Sequence, residues 1–133
     1  MRRIIAALIT LFLAQPATAA DLAPPEALAQ AQAGKLTLID VRTPDEWRQT
    51  GIAPGAKTAD VMTSEGADAF VAQVLKAAGG NKSAPLGLVC RSGARSAKAV
   101  ALLESRGFTN VSNVVEGMNG WVRRGLPVTE WAR

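Results

Sequence analysis

A strand-length apolar run that leads through the only cysteine of the chain into a helical pattern is the feature that most constrains the fold. Residues 86–89 are apolar and short, which predicts a buried strand. Residues 96–106 carry apolar side chains at helical spacing, and Gly107 then favours a helix stop. Cys90 is therefore expected where a strand meets a helix.

The loop that follows the cysteine is predicted to stabilise negative charge. Its small residues let backbone N–H groups turn inward, and the next helix directs the positive end of its dipole at the same point. Two guanidinium groups add positive charge, so we expect the pKa of the Cys90 thiol to fall below its ordinary value of about 8.5. A free cysteine without such a context is more often a small buried hydrophobe. The loop residues are Arg91, Ser92, Gly93, Ala94, Arg95 and Ser96.

Strand patterns alternate with helix patterns along the chain, which predicts an α/β domain with a small parallel β-sheet flanked by helices on both faces. Thr43, Pro44 and Glu46 form the pattern of a capping box with a first-turn proline. Thr63 or Ser64 is expected to cap a later helix. The predicted strands are residues 36–41, 57–60, 86–89 and 111–115, and the other predicted helices are residues 24–33, 64–78, 96–106 and 118–124.

Four segments in order resemble the motifs of the rhodanese-like sulfurtransferase family. Residues 90–96 are similar to its active-site loop, residues 39–47 to its Asp-Val-Arg block, and residues 51–56 to its Pro-Gly-Ala turn. Residues 107–127 are similar to its closing block. Ile52 stands where the family usually has histidine, and Met118 replaces a common glycine. Together the segments cover most of the chain from residue 36 onward.

The resemblance implies a sulfurtransferase that moves a sulfane sulfur through a persulfide on Cys90. The implied donor is a small anion such as thiosulfate, and the implied acceptor is cyanide, a small thiol or a protein thiol. Arg91 is expected to attract the donor, whereas Arg95 either does the same or forms an ion pair that holds the loop shut. Asp40 and Arg42 are assigned supporting roles, in which Asp40 accepts hydrogen bonds from the loop and Arg42 pairs with Glu46.

Other functions remain open at this point. Cys90 and Arg95 bound a six-residue loop, which the family associates with sulfane sulfur, whereas related phosphatases and arsenate reductases have one more residue. A redox enzyme needs a second cysteine, which a partner protein would have to supply. A non-catalytic or partner-dependent sulfur-carrier or binding module is the main alternative.

The composition of the chain narrows the classes of partner and cofactor that it is expected to bind. The 133 residues are 48% hydrophobic, which is enough for one globular domain. The net charge is +4, but the basic residues are scattered along the chain and are not accompanied by a cluster of aromatic residues, so no nucleic-acid partner is expected. Without histidine and with one cysteine, the chain offers few ligands for a transition metal, and neither a metal nor another cofactor is expected.

The N-terminal segment has the pattern of a cleaved signal peptide. Arg2 and Arg3 precede an apolar run, and residues 17–19 fit the small-x-small cleavage pattern. The run is too short to span a bilayer, which needs about 20 residues. We therefore expect residues 1–20 to be removed, residues 21–35 to form a linker and helix, and residues 36–133 to form the domain. In a bacterium the cleaved, mature protein would be periplasmic with no membrane partner; an uncleaved membrane anchor is the alternative.

Overall fold

The computed structural model describes residues 21–132, which form a four-stranded parallel sheet and five helices. The signal-peptide prediction falls on residues 1–20, outside this range. The helices are α1 (Pro24–Gln32), α2 (Pro44–Thr50), α3 (Ala67–Ala77), α4 (Ala94–Ser105) and α5 (Gly117–Arg123). The strands are β1 (Thr37–Asp40), β2 (Lys57–Thr58), β3 (Leu86–Val89) and β4 (Val111–Asn113).

The sheet has the order β2-β1-β3-β4, and all its neighbours are parallel. β1 and β3 are the two inner strands, and every residue of β3 is buried, as expected for a strand covered on both faces. Its register pairs Asp40 with Val89, so the carboxyl ends of β1 and β3 reach the same edge. Cys90 follows directly at this edge, where α/β proteins place their ligand sites.

Two apolar clusters cover the two faces of the sheet and confirm the predicted architecture. One cluster packs α3 and α4 against the sheet and includes Phe70, Leu88 and Leu103. The other packs α1 and α5 against it and includes Ala27 and Trp121. Between residues 21 and 132, no helix is both long and apolar enough to cross a bilayer.

Several element boundaries differ from the sequence predictions: strands β1, β2 and β4 are shorter than predicted, and three helices begin at other residues. The capping box at Thr43 and Glu46 is present, as predicted. α3 begins at Ala67 with Gly66 as its cap, because Thr63 and Ser64 belong to a separate turn in which Gly66 donates to the Thr63 carbonyl. Helices α4 and α5 begin two residues and one residue earlier than predicted.

Candidate active site

Cys90 lies fully buried at the carboxyl end of β3, with its sulfur surrounded by hydrogen-bond donors. The backbone N–H groups of Gly93 and Ser96 point at Sγ from 3.1 and 3.4 Å, and the Ser96 hydroxyl lies 3.2 Å away. Gly93 makes this turn with a φ of 100°, a left-handed conformation that glycine adopts without strain. The inward-facing N–H groups predicted for the loop are therefore present.

Opposing effects set the acidity of this thiol. Burial raises the pKa of Cys90, because a thiolate is poorly solvated inside the protein. Hydrogen bonds from the Ser96 hydroxyl and from the backbone N–H groups of Ser96, Gly93 and Ser92 lower that pKa by more. The net pKa of Cys90 lies below its ordinary value, so the loop favours a thiolate nucleophile.

The start of α5 holds the loop in this conformation. The Met118 N–H donates to the Cys90 carbonyl at 2.8 Å, and the Asn119 N–H donates to the Arg91 carbonyl at 2.9 Å. With these carbonyls turned outward, the next N–H groups can face the sulfur. Gly117 is required here because it has a φ of 53°, and a Cβ atom would lie 2.6 Å from the Arg91 oxygen and still closer to that of Cys90.

The two loop arginines have different environments. Arg95 forms a two-point ion pair with Glu46 of α2, with N···O distances of 2.7 and 2.8 Å. These hydrogen bonds lower the pKa of Glu46 to about 2 and raise that of Arg95. The guanidinium of Arg91 is exposed and has no hydrogen bond or ion pair with any of residues 21–132. Of the two roles considered for Arg95, the structure contains the ion pair, which leaves Arg91 as the available cation of the loop.

Asp40 and Arg42 form a buried ion pair with each other, which corrects two expectations. Arg42 donates to both Asp40 oxygens, at 2.9 and 2.7 Å, and does not pair with Glu46. Asp40 accepts from Arg42 and from the Trp47 indole at 3.0 Å rather than from the cysteine loop. Arg42 also donates to Thr50 and to the Gly51 carbonyl. The short Asp-Val-Arg spacing makes this pairing possible, and it ties β1 to the end of α2.

A cavity of ≈ 570 Å³ opens between α2 and α5, beside Arg91. Its volume is typical of pockets that bind organic ligands, about 300–1,000 Å³. Arg91 and Arg123 bring two exposed guanidinium groups to it, which makes it suitable for an anion. Its lining residues are Arg42, Glu46, Gln49, Thr50, Arg91, Met118, Asn119, Val122 and Arg123.

The other loop residues predicted for the site divide by exposure. Ser92 and Ala94 are exposed on the outside of the loop, whereas Ser96 is fully buried beside the sulfur.

Residues 21–132 contain no group of three or more His, Cys, Asp or Glu side chains placed to hold a metal ion.

Sequence reasoning missed Asn113, which the fold places next to the site. Asn113 is the last residue of β4 and ends at the same edge of the sheet as Cys90. Its Oδ1 atom lies 2.5 Å from the Ser96 hydroxyl, and its Nδ2 atom donates to the Gly93 carbonyl at 3.2 Å. A polar residue within the strand predicted at residues 111–115 is the signal that could have pointed to it.

The profile of the family described as Rhodanese-like domain matches residues 23–124. Thiosulfate sulfurtransferase 16 of Arabidopsis thaliana, a chloroplast protein, is 39% identical over 95 residues, covering 67% of this chain and 76% of that protein. A sulfurtransferase of Allochromatium vinosum is 33% identical over 91 residues, covering 68% and 76%. The solution structure of the polysulfide-sulfur transferase homodimer of Wolinella succinogenes superimposes with a TM-score of 0.66 at 28% identity, covering 86% and 81%. The family match spans all four strands and the cysteine loop, and the named relatives are sulfurtransferases, so the chain belongs to the rhodanese-like domain family.

Proposed function

We propose that this protein is a sulfurtransferase that carries a sulfane sulfur as a persulfide on Cys90. The observation that carries the proposal is the pair of backbone N–H groups, from Gly93 and Ser96, that point at the Cys90 sulfur, with the Ser96 hydroxyl also 3.2 Å away. These groups stabilise a negative charge on sulfur before and after transfer. The sulfurtransferase relatives support the same chemistry.

The first step loads the cysteine. The Cys90 thiolate attacks the outer sulfur of thiosulfate and forms a new S–S bond. The sulfur–sulfur bond of thiosulfate breaks, and sulfite leaves with the electron pair. The negative charge of the thiolate moves to the terminal sulfur of the persulfide. Nucleophile and leaving group are both anions, so this step requires no general acid or base.

The second step unloads the persulfide. A nucleophile such as cyanide, or the thiolate of a small molecule or a protein, attacks the terminal sulfur. The persulfide S–S bond breaks, and its electron pair returns to Cys90 as thiolate. The product is thiocyanate or a new persulfide, and the enzyme is ready for another cycle.

Arg91 is the group proposed to draw the anionic donor toward the loop. Its guanidinium is exposed at the cavity between α2 and α5, and Arg123 on α5 adds a second positive charge. Because Cys90 is fully buried, the proposed transfer requires the groups that cover its sulfur to open far enough to admit the donor. Thiosulfate is the donor we propose, since one relative is named for its use.

Intact-protein mass spectrometry tests the proposed cycle. The purified protein is incubated with thiosulfate, desalted and then treated with cyanide. We expect a gain of ~32 Da, one sulfur, that cyanide removes. Cys90→Ser, which keeps the size and replaces the sulfur, should remain folded and gain no mass. A gain that persists in Cys90→Ser, or no gain in a wild-type protein whose Cys90 still reacts with alkylating reagents, would contradict the proposal for thiosulfate.

The same experiment separates an enzyme with a small-molecule acceptor from a sulfur carrier. Turnover of thiosulfate with cyanide would support the enzyme. A stable persulfide that cyanide and small thiols remove only slowly, but that passes quickly to an added protein thiol, would support the carrier.

We also propose that residues 1–20 direct export and that the mature protein is periplasmic. The proposal rests on the charged start, the apolar run and the cleavage pattern at Ala17 and Ala19. Full-length protein expressed in a Gram-negative bacterium should appear in the periplasmic fraction with the mass of a chain that starts near residue 20. Ala19→Arg should block processing and leave the precursor, whereas an unprocessed wild-type chain in the cytosol would overturn the proposal.

A further inference from the structure

The Ser96 hydroxyl lies among three acceptors but carries only one proton. Its oxygen is 2.5 Å from Asn113 Oδ1, 3.2 Å from the Gly93 carbonyl oxygen and 3.2 Å from Cys90 Sγ. The first two atoms can only accept a hydrogen bond, and a thiolate sulfur also accepts. Ser96 can therefore satisfy only one of them at a time.

The Asn113 side chain is held in the orientation in which its amide oxygen accepts the hydrogen bond of the Ser96 hydroxyl. Its Nδ2 atom donates to the Gly93 carbonyl at 3.2 Å, so its Oδ1 atom faces the Ser96 hydroxyl. The 2.5 Å separation requires a proton between the two oxygens, because two bare oxygens at that distance repel each other. The shortest contact of Ser96 is thus with Asn113 rather than with the sulfur.

The acceptor to which the Ser96 hydroxyl donates decides whether the thiol or the thiolate form of Cys90 is favoured. When Ser96 donates to Asn113, its oxygen can accept the S–H proton of a thiol, and the chain from Cys90 through Ser96 and Asn113 to Gly93 is complete. When Cys90 is a thiolate, the best hydrogen bond to it is the hydroxyl of Ser96, which must then leave Asn113. The backbone N–H groups of Gly93 and Ser96 remain in either case.

We propose that Asn113 is a positioning residue that competes with the Cys90 sulfur for the hydroxyl proton of Ser96. Asn113 thereby holds the resting site closer to the thiol than the loop alone would. The inference deepens the proposed function, since the thiolate is the attacking group in sulfur loading. Asn113 itself does not touch the sulfur and acts through Ser96.

The other charged groups near Cys90 do not account for such an effect, because they are the same whichever way the Ser96 proton points. Ion pairs occupy most of them. The charged groups at this edge of the sheet are Arg91 and Arg95 of the loop and α4, Asp40 and Arg42 at the end of β1, Glu46 of α2, Asp60 after β2, and Glu116 and Arg123 at α5.

The competition between Asn113 and the sulfur predicts that the pKa of Cys90 shifts in opposite directions in two variants. The pKa of Cys90 is read from the pH dependence of the alkylation rate with iodoacetamide. Ser96→Ala removes the donor and should raise the pKa by about one pH unit, the size expected for one hydrogen bond to a charged group. Asn113→Ala frees the hydroxyl for the sulfur and should lower the pKa. The double variant should match Ser96→Ala, because Asn113 has no effect without Ser96.

A merely structural role for Asn113 predicts a different result. A loosened loop would weaken the N–H donors and raise the pKa in Asn113→Ala as well, and that outcome would overturn the proposal. A lowered pKa that persists in the double variant would also overturn it. Asn113→Val, which fills more of the space without an acceptor, repeats the test if the alanine variant is unstable. Asn110→Ala, just before β4, is the matched control and should leave the pKa unchanged.

Alkylation reports on the thiol without any sulfur transfer, so the two proposals can fail separately. If no persulfide forms but the shifts have opposite signs, the sulfurtransferase proposal fails and the competition holds. If persulfide forms and the shifts have the same sign, only the competition fails.

Discussion

Cys90 combines full burial with a lowered pKa, and hydrogen bonds explain how both hold at one residue. Burial alone would favour the neutral thiol, but the N–H groups and the hydroxyl around the sulfur stabilise the thiolate more than burial opposes it. Arg95 lies close enough to add to this electrostatically, but its guanidinium is already held by Glu46. The lowered pKa of Cys90 therefore depends on hydrogen bonds within the loop, while the Arg91 guanidinium stays exposed.

Arg91→Ala should raise the KM for thiosulfate at low salt by about 3- to 10-fold with little change in kcat, because an exposed cation steers an anion before it is bound. The difference should shrink at about 1 M salt, where the screening length is only about 3 Å. Steady-state kinetics with cyanide as acceptor measure it. Lys98→Ala, which removes another exposed cation from α4, is the control and should have little effect. A rise in KM that is equally large at high salt would show that Arg91 acts through packing.

At the scale of elements, the cysteine loop is held from two sides. α5 accommodates the Cys90 and Arg91 carbonyls with its first N–H groups, and α2 holds the loop through the Glu46–Arg95 pair. Neither contact is local in sequence, since Glu46 and Arg95 are 49 residues apart. The loop is thus held by two elements that are distant from it in the sequence.

Gly117→Ala should reduce both stability and activity. The new Cβ would collide with the Cys90 and Arg91 carbonyl oxygens, so α5 must move away and the loop loses two hydrogen bonds. We expect the free energy of unfolding to fall by about 2–4 kcal/mol from the collision and the strained φ, and persulfide formation to slow at least about tenfold. Gly55→Ala is the matched control, since Gly55 also has a positive φ, 73°, but a Cβ would meet nothing within 4 Å. Equal effects of the two substitutions would contradict the role of α5.

Glu46→Gln should destabilise the protein at neutral pH but not at about pH 2. The folded-state pKa of Glu46, about 2, lies below its ordinary 4.5, so its contribution is complete above pH 4.5 and is lost as the pH falls through about 2. Urea unfolding from pH 7 to pH 2 should show the variant and wild type converging. Asp45→Asn on the same helix removes an exposed pair with Arg48 and should change stability by less than about 1 kcal/mol at any pH. A gap between Glu46→Gln and wild type that does not depend on pH would contradict the ion-pair explanation.

For the whole molecule, the order β2-β1-β3-β4 decides which polar residues meet. It places β3 between β1 and β4, so residues from the ends of both neighbours lie beside Cys90. Asp40 and Arg42 form a buried ion pair at this edge, with 0% and 2% of their side chains exposed. The core on either side is continuous, and the buried side-chain polar atoms in residues 21–132 all have hydrogen-bond partners.

Arg42→Met should lower the free energy of unfolding by about 3–5 kcal/mol, because it leaves the buried Asp40 carboxylate without its cation. Equilibrium urea unfolding at pH 7 measures the loss. Arg106→Met provides the comparison, since its partner Asp68 is largely exposed and such pairs contribute less than about 1 kcal/mol. A loss below about 1 kcal/mol in Arg42→Met would show that Asp40 finds other partners.

Local patterns determined much of this protein from the sequence alone. The alternation of strand and helix patterns predicted the parallel sheet, and the capping box at Thr43 is present as expected. These features depend on neighbours within a few residues, where propensity and hydrogen-bonding geometry are readable. The cysteine loop was readable for the same reason, because its donors come from the next six residues.

Contacts between distant segments were decided only by the tertiary structure. The choice of Glu46 for Arg95, the support of the loop by Gly117, and the place of Asn113 beside Ser96 all depend on strand order and register. A sequence shows that charged and polar residues exist, but their partners follow from which strand ends reach the same edge. The sequence determined the cysteine and its loop, and the tertiary arrangement of β1, β4, α2 and α5 determined which groups surround them.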